Sequence, residues 1–196
     1  MKKLTSALFI IFIIFSAKTF AADNEIIKRI VVGNKNAKIT IIAYESLTCS
    51  HCANFHIDVY PQLKKDYIDN GIAKIEFRHF PLDLAAFNAS KISQCKNDGS
   101  SEILNSLYLN QQQWVRGKSA AEVNENLKKF LSSEGFDIDF NKCTADKKIE
   151  DFILNDRIDG VEKFKVNATP TIIINDKKFE KSLNYKNLKK TLEKLI

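Results

Sequence analysis

Cys49 and Cys52 are the residues in this chain whose type and spacing point most directly to chemistry. They enclose two residues in Cys49-Ser50-His51-Cys52. One helical turn brings two cysteines so spaced within disulfide reach, so the pair can open and close with little backbone movement. The motif lies between an apolar, β-branched run and the start of a helix. That places Cys49 at a helix N-terminus, where unpaired backbone N–H groups and the helix dipole favour a thiolate. Cys49 is then the exposed nucleophile and Cys52 its buried partner. His51, protonated or donating a hydrogen bond, adds positive potential beside Cys49 and lowers its pKa further. A thiolate stabilised in this way favours the reduced form and makes the disulfide a strong oxidant. Two other readings compete. The pair could be half of a zinc site with His51 or His56 as a third ligand, but no second CxxC completes it. It could also be an inert structural disulfide.

The elements that must position this motif are legible around it. Ile39-Thr-Ile-Ile-Ala-Tyr44 is almost continuously apolar and β-branched, as expected of a central strand buried on both faces. After the motif, Phe55, Val59, Leu63 and Tyr67 recur every four residues and mark the buried side of a helix. Pro61 should kink that helix by removing a backbone donor, and Asn70-Gly71 ends it. Ala73, Ile75, Phe77 and His79 then alternate with Lys74, Glu76, Arg78 and Phe80, a strand signal. The order β-α-β implies a parallel pair joined by a right-handed crossover.

From residue 84 to 150 the period is helical. Ile103, Leu107 and Tyr108 fit a short helix. Ser119 and Glu122 form a capping box ahead of Val123, Leu127, Phe130 and Leu131, and Gly135 stops that helix. Trp114, beside Gln111-Gln-Gln113, is read as core or rim of the insertion. A longer helix is expected from Phe140 towards Phe164, with Gly160 near its end. Thr171 to Ile174 returns to strand, followed by a turn at Asn175-Asp176-Lys177 and a partner strand at Lys178 to Glu180. Asn184 caps a final helix with Tyr185, Leu188, Leu192, Leu195 and Ile196 on its apolar face. His56 and His79 are read as packing or surface histidines.

Residues 1 to 21 have the form of a secretory signal peptide. Lys2 and Lys3 precede a mostly apolar run from Leu4 to Ala17, and Thr19 and Ala21 suggest cleavage before Ala22. Lys18 stops the run short of the roughly 20 residues that a spanning helix needs. Without Lys2, Lys3 and Lys18, the formal +6 falls to 27 basic against 24 acidic residues, or +3. Both signs are interspersed along the chain, which argues against a nucleic-acid footprint. Composition (44% hydrophobic, 28% charged, three prolines among 196 residues) excludes collagen-like and disordered classes. Export makes disulfides available to all four cysteines, with three possible pairings.

A second signal is Val166-Asn-Ala-Thr-Pro-Thr171, leading into a strand. A proline cannot donate to a central ladder, so Pro170 belongs at the strand's start, and X-Pro bonds are where cis peptides occur. With Tyr44-Glu-Ser-Leu-Thr-Cys-Ser-His-Cys-Ala-Asn-Phe55, Pro61 and Ala168-Thr-Pro-Thr171, the chain resembles the thioredoxin superfamily. Within it, the resemblance is to the exported DsbA-like thiol:disulfide oxidoreductases of alphaproteobacterial type, over nearly all of residues 28 to 196.

The resemblance implies an α/β class: a thioredoxin fold with an inserted helical domain. The thioredoxin-like part is expected over 22–82 and 151–196, with the helical insertion over 83–150. It also implies a cis Thr169–Pro170 bond beside the active disulfide, with both residues binding substrate, and a structural disulfide between Cys95 and Cys143. The implied activity is a periplasmic dithiol oxidase acting on unfolded exported proteins. It would be a monomer needing no metal or organic cofactor, reoxidised by a DsbB-like membrane quinone reductase. Two positions depart from the family. Ser50 stands where proline is common, and that dipeptide tunes the potential. The family places a buried acid six residues before the first cysteine, where this chain has Ala43. Glu45, two residues later on the same strand face, is the expected substitute proton acceptor, against the reading of a solvated strand-end carboxylate. A thiol reductase remains an alternative. A DsbC-type isomerase is another, but it carries a dimerisation region that the segment Ala22 to Lys38 before the first strand is too short to supply. A binding module using the groove at Pro170 is of a different class, and it predicts that Cys49→Ala keeps most activity.

Overall fold

A computed structural model describes residues 26–196; the expected signal peptide lies outside the described residues. The apolar run forms β2 (Ile39–Glu45), which pairs in parallel with β3 (Ala73–His79), Ala43 lying opposite Phe77 and Glu45 opposite His79. The strand ahead of them, β1 (Ile30–Gly33), is not signalled by the sequence pattern. It is a short edge strand, antiparallel to β3. On the other side, β4 (Thr171–Ile174) runs antiparallel to β2, and β5 (Lys177–Lys178) closes a hairpin on β4. The sheet order is β1-β3-β2-β4-β5. The hairpin turn is only Asn175-Asp176, both with positive φ, so the partner strand begins at Lys177, one residue earlier than expected.

The helix after the motif has four consecutive segments: α1 (Ser50–Asn54), a π turn at Phe55–Val59, α2 (Tyr60–Leu63) and a second π turn at Lys64–Ile68. This accounts for the strict four-residue spacing of its apolar side chains. On a regular α-helix, residues four apart drift by about 40° per step. The wider π turns, closed by bonds such as Asp69 N–H to Lys64 C=O at 2.9 Å, take up that drift. Phe55, Val59, Leu63 and Tyr67 all stay buried. Pro61, which cannot donate, sits just after the first π turn.

Six helices separate β3 from β4: α3 (Leu84–Gln94), α4 (Glu102–Leu109), α5 (Gln111–Trp114), α6 (Ala120–Ser133), α7 (Phe140–Ala145) and α8 (Lys147–Phe164). The single helix expected from Phe140 to Phe164 is two. Asp146 ends α7 and caps α8, its side chain accepting from the N–H groups of Lys148 and Ile149. A boundary at residue 150 falls inside α8. Ser119 caps α6 as expected, but Glu122 reaches back to the N–H of Lys118 rather than to that of Ser119. Trp114 is core, its indole N–H donating to the Leu107 C=O. Asn184 caps α9 (Tyr185–Leu192), but Leu195 and Ile196 lie beyond it and are exposed, so they are not part of its apolar face.

The sheet buries both faces. Ile39, Ile41 and Ala43 of β2 join Ile75, Phe77 and Ile172 in the larger core, which the helix after the motif, α3, α4, α6 and α9 cover. On the opposite face Ile42, Tyr44 and Ile173 pack with Phe80, Phe164 and Val166. There α8 passes so close to Tyr44 that a Cβ on Gly160 would sit 2.8 Å from Tyr44 Cε1. Gly160 is therefore a packing residue inside α8 and does not end it.

Candidate active site

The site begins where β2 ends. Ser46 C=O accepts the Cys49 N–H at 3.0 Å, and Cys49 C=O accepts from the N–H groups of Cys52 (3.1 Å) and Ala53 (3.2 Å), making Cys49 the N-cap of α1. A residue that the sequence analysis did not single out for the site holds this loop from the insertion. Gln111 of α5 is buried, and its side-chain amide donates to Leu47 C=O (2.8 Å) and Cys49 C=O (3.0 Å). Thr48 donates to Asp83, the N-cap of α3, at 2.6 Å. The motif is thus pinned between the sheet and two helices of the insertion.

Cys49 and Cys52 are free thiols in this structure and have very different surroundings. Cys49 is half-buried, and its pKa is lowered from the ordinary 9.0 to about 5. A hydrogen bond from the Cys52 thiol contributes most, with further help from the Thr169 side chain and from the backbone N–H groups of Cys52 and His51. The His51 contribution is therefore made by its backbone; its imidazole is exposed and is not among the causes. Cys52 is fully buried, and its pKa is raised far above the ordinary value, first by burial, then by its bond to Cys49 and by the negative charge of Glu45. One sulfur is set up as a thiolate at neutral pH and the other as a thiol.

The Thr169–Pro170 peptide is cis and lies against Cys49. Thr169 C=O accepts from the Cys49 thiol at 3.4 Å. Among the described residues the Thr169 hydroxyl is buried with no other partner, which leaves it available to donate to the thiolate. Thr171 Oγ1 donates to Ala168 C=O at 2.7 Å and ties the turn to β4. Beside Pro170 runs a groove lined by His51, Phe55, Val59, Thr169 and Leu183.

Beneath Cys52 lies a buried polar cluster. Glu45 is 3% exposed, so it is not a solvated strand-end carboxylate. Its Oε2 is 2.9 Å from His56 Nε2. The His56 ring stacks on Tyr108 of α4 at 4.1 Å and packs near Phe77 and Tyr60. His56, expected as a packing or surface histidine, is buried and part of this cluster. His79 is also buried, 3.3 Å from the Gln94 side chain, and stays a packing residue. Among the described residues, no group of three His, Cys, Asp or Glu side chains is placed to hold a metal. Cys95 and Cys143 form a disulfide joining the end of α3 to α7, with Cα atoms 5.5 Å apart.

A thioredoxin family model matches residues 25–194. The chain belongs to the thioredoxin family. This thioredoxin-family chain is 31% identical to Wolbachia pipientis alpha-DsbA1, whose crystal structure superposes with a TM-score of 0.75 over 85% of this chain and 90% of that one. It is 28% identical over 181 residues to disulfide bond formation protein D of Bacillus subtilis, covering 84% of this chain and 75% of that protein. It is also 29% identical over 163 residues to a Rickettsia bellii protein named as a protein-disulfide oxidoreductase. That match covers 81% of this chain but only 61% of the relative, so this chain spans less than two thirds of its length. The chain is a DsbA-like member of its family, and its architecture is a thioredoxin fold with a helical insertion between β3 and β4.

Proposed function

We propose that the protein is an exported dithiol oxidase that introduces disulfide bonds into secreted or periplasmic proteins through Cys49 and Cys52. The observation that carries this reading is the opposed ionisation of the two sulfurs, with Cys49 lowered to about 5 and Cys52 raised. Stabilising the Cys49 thiolate stabilises the reduced enzyme, which makes the oxidised form a thiol acceptor. A substrate thiolate attacks Cys49 Sγ of the Cys49–Cys52 disulfide, the S–S bond breaks, and Cys52 takes up a proton. A second substrate thiolate then attacks the substrate sulfur of the mixed disulfide. Cys49 leaves as the low-pKa thiolate, a good leaving group. The products are an oxidised substrate and the dithiol enzyme, the state of this structure.

In this reading Thr169 and Pro170 hold the substrate backbone by strand-like pairing along the groove. Ser50 tunes the potential, and Glu45 takes the proton of Cys52 when the enzyme is reoxidised. The Cys95–Cys143 disulfide braces the insertion that carries Gln111. A DsbB-like membrane quinone reductase supplies oxidising equivalents, the protein acts as a monomer, and residues 1–21 direct it to the periplasm.

The test mixes the oxidised protein with a reduced peptide bearing two cysteines and follows both partners by mass. The reading expects an intramolecular disulfide in the peptide, a trapped mixed disulfide with Cys52→Ala, and no conversion with Cys49→Ala. Retained activity in Cys49→Ala supports a binding module instead. Faster reduction of a peptide disulfide by the dithiol protein than oxidation in the forward direction supports a reductase.

A further inference from the structure

We propose that His56 is a positioning residue: its Nε2–H holds Glu45 through one carboxylate oxygen and keeps the other open to the proton of Cys52. The proposal rests on the thiol-exchange reading above. His56 follows Cys52 by four residues, so both side chains leave the helix on the face turned to the sheet, and both are fully buried. Glu45 meets them from the end of β2, with His56 Nε2 2.9 Å from its Oε2. Among the described residues, the other oxygen, Oε1, is buried with no hydrogen-bond partner, and so is His56 Nδ1. A buried carboxylate oxygen without a donor is costly, and such an exception calls for a functional account. With Nε2–H donating to Glu45, Nδ1 is a bare acceptor, which is cheaper to leave unpartnered than a buried N–H.

Every element packed against His56 contributes to holding it. Phe77 comes from β3, Tyr108 from α4 and Tyr60 from the same helix, with Tyr108 stacked on the ring. Two of these neighbours titrate in principle. Burial raises the Tyr60 phenol; burial first, then the charge of Glu45 and, last, the approach of its own hydroxyl to Glu45 raise that of Tyr108, an approach that falls short of a hydrogen bond to Oε1. Neither phenol exchanges a proton near neutrality, so the carboxylate held by His56 is the group left to serve Cys52. The surrounding rings also fix the imidazole plane, so Glu45 is held in one orientation.

The step concerned is ring closure. Cys52 gives its S–H proton to Glu45 Oε1, its sulfur attacks Cys49 Sγ in a mixed disulfide, and the bound thiol leaves as a thiolate that water protonates. The protein sulfurs are oxidised to the Cys49–Cys52 disulfide, and the departing thiol carries away the reducing equivalents.

The reduced full-length protein is mixed with glutathione disulfide and quenched with acid at intervals. The first phase is attack by the Cys49 thiolate, which needs neither Glu45 nor His56. The second is closure by Cys52. His56→Phe keeps the ring stack and removes the donor. It should leave the first phase intact and slow closure at pH 7 by about tenfold or more. His56→Gln restores a donor at the Nε2 position and should recover most of the closure rate. Glu45→Gln should be as slow as His56→Phe, and the double variant no slower. Closure at the wild-type rate in His56→Phe overturns the proposal, as does a His56→Gln variant no faster than His56→Phe. Loss of the first phase in the wild-type protein would instead overturn the thiol-exchange reading on which it rests.

Discussion

Replacing Cys52 by alanine removes the largest contribution to the Cys49 thiolate, and the size of the effect follows from the surroundings of that sulfur. In the dithiol the Cys49 pKa lies at about 5, and the Cys52 thiol is its leading donor. A hydrogen bond to an ionised group contributes about 1.5–3 kcal/mol, and one pKa unit is about 1.4 kcal/mol. Loss of that donor should therefore raise Cys49 by about one to two units, to about 6–7. The backbone N–H groups of Cys52 and His51 and the Thr169 side chain remain and keep it below the value of a free thiol. At pH 7 the thiolate fraction falls from about 99% to between about 50% and 90%. The assay is the ultraviolet absorbance of the thiolate against pH. It reads a single group, because Cys95 and Cys143 are bridged and Cys49 is then the one free thiol. A midpoint still at about 5 would show that the backbone donors suffice and that the Cys52 thiol is not the leading one. A midpoint at the free-thiol value of about 8.5 would show that the helix end contributes nothing.

Other expectations follow from the same structure. The folded Cys49 pKa lies below its unfolded value, so its contribution to the stability of the reduced protein is fully present above pH 9 and is lost as pH falls through about 5. At pH 7 that contribution is at most about 2.7 kcal/mol, reduced by solvent screening at a half-buried sulfur. Denaturant unfolding should show the reduced protein losing stability relative to the oxidised protein between pH 7 and pH 5, and parallel curves would contradict this. Gly160→Ala would bring a Cβ to 2.8 Å from the fully buried Tyr44 ring and should cost about 1–3 kcal/mol in thermal unfolding. An unchanged unfolding temperature would show that α8 can shift off Tyr44 freely. Cys95→Ala with Cys143→Ala opens a loop of 49 residues and should cost roughly 4 kcal/mol by loop entropy, checked by denaturant unfolding. A pair of variants as stable as the wild type would remove the brace from the account.

The parts of the fold that were legible in the sequence are those where one local pattern decides the outcome. The apolar run of β2 and the strict alternation of β3 could hardly serve another element, and Asn184 and Ser119 sit at the helix starts that they cap. The first strand was not legible, because four residues on a sheet edge carry too short a pattern to separate from a loop. The split between α7 and α8 had a local signal, an Asp146 able to cap, but it was masked by a helical period that continues on both sides. The two cysteines and Pro170 could be named because their chemistry depends on spacing along the chain. Gln111 could not, because nothing near it distinguishes it from Gln112 and Gln113; its role appears only when α5 docks on the loop at Leu47. His56 had a partial signal in its four-residue spacing from Cys52, but its partner Glu45 lies on another element, and the contact is tertiary.

The most direct test of the central claim is the reduction potential of the Cys49–Cys52 pair, measured by equilibration in glutathione buffers. A stabilised Cys49 thiolate requires a value well above the glutathione couple, with the reduced protein dominant in mildly reducing mixtures. A value near that of thioredoxin, at about −270 mV, would contradict it and place the protein among the reductases.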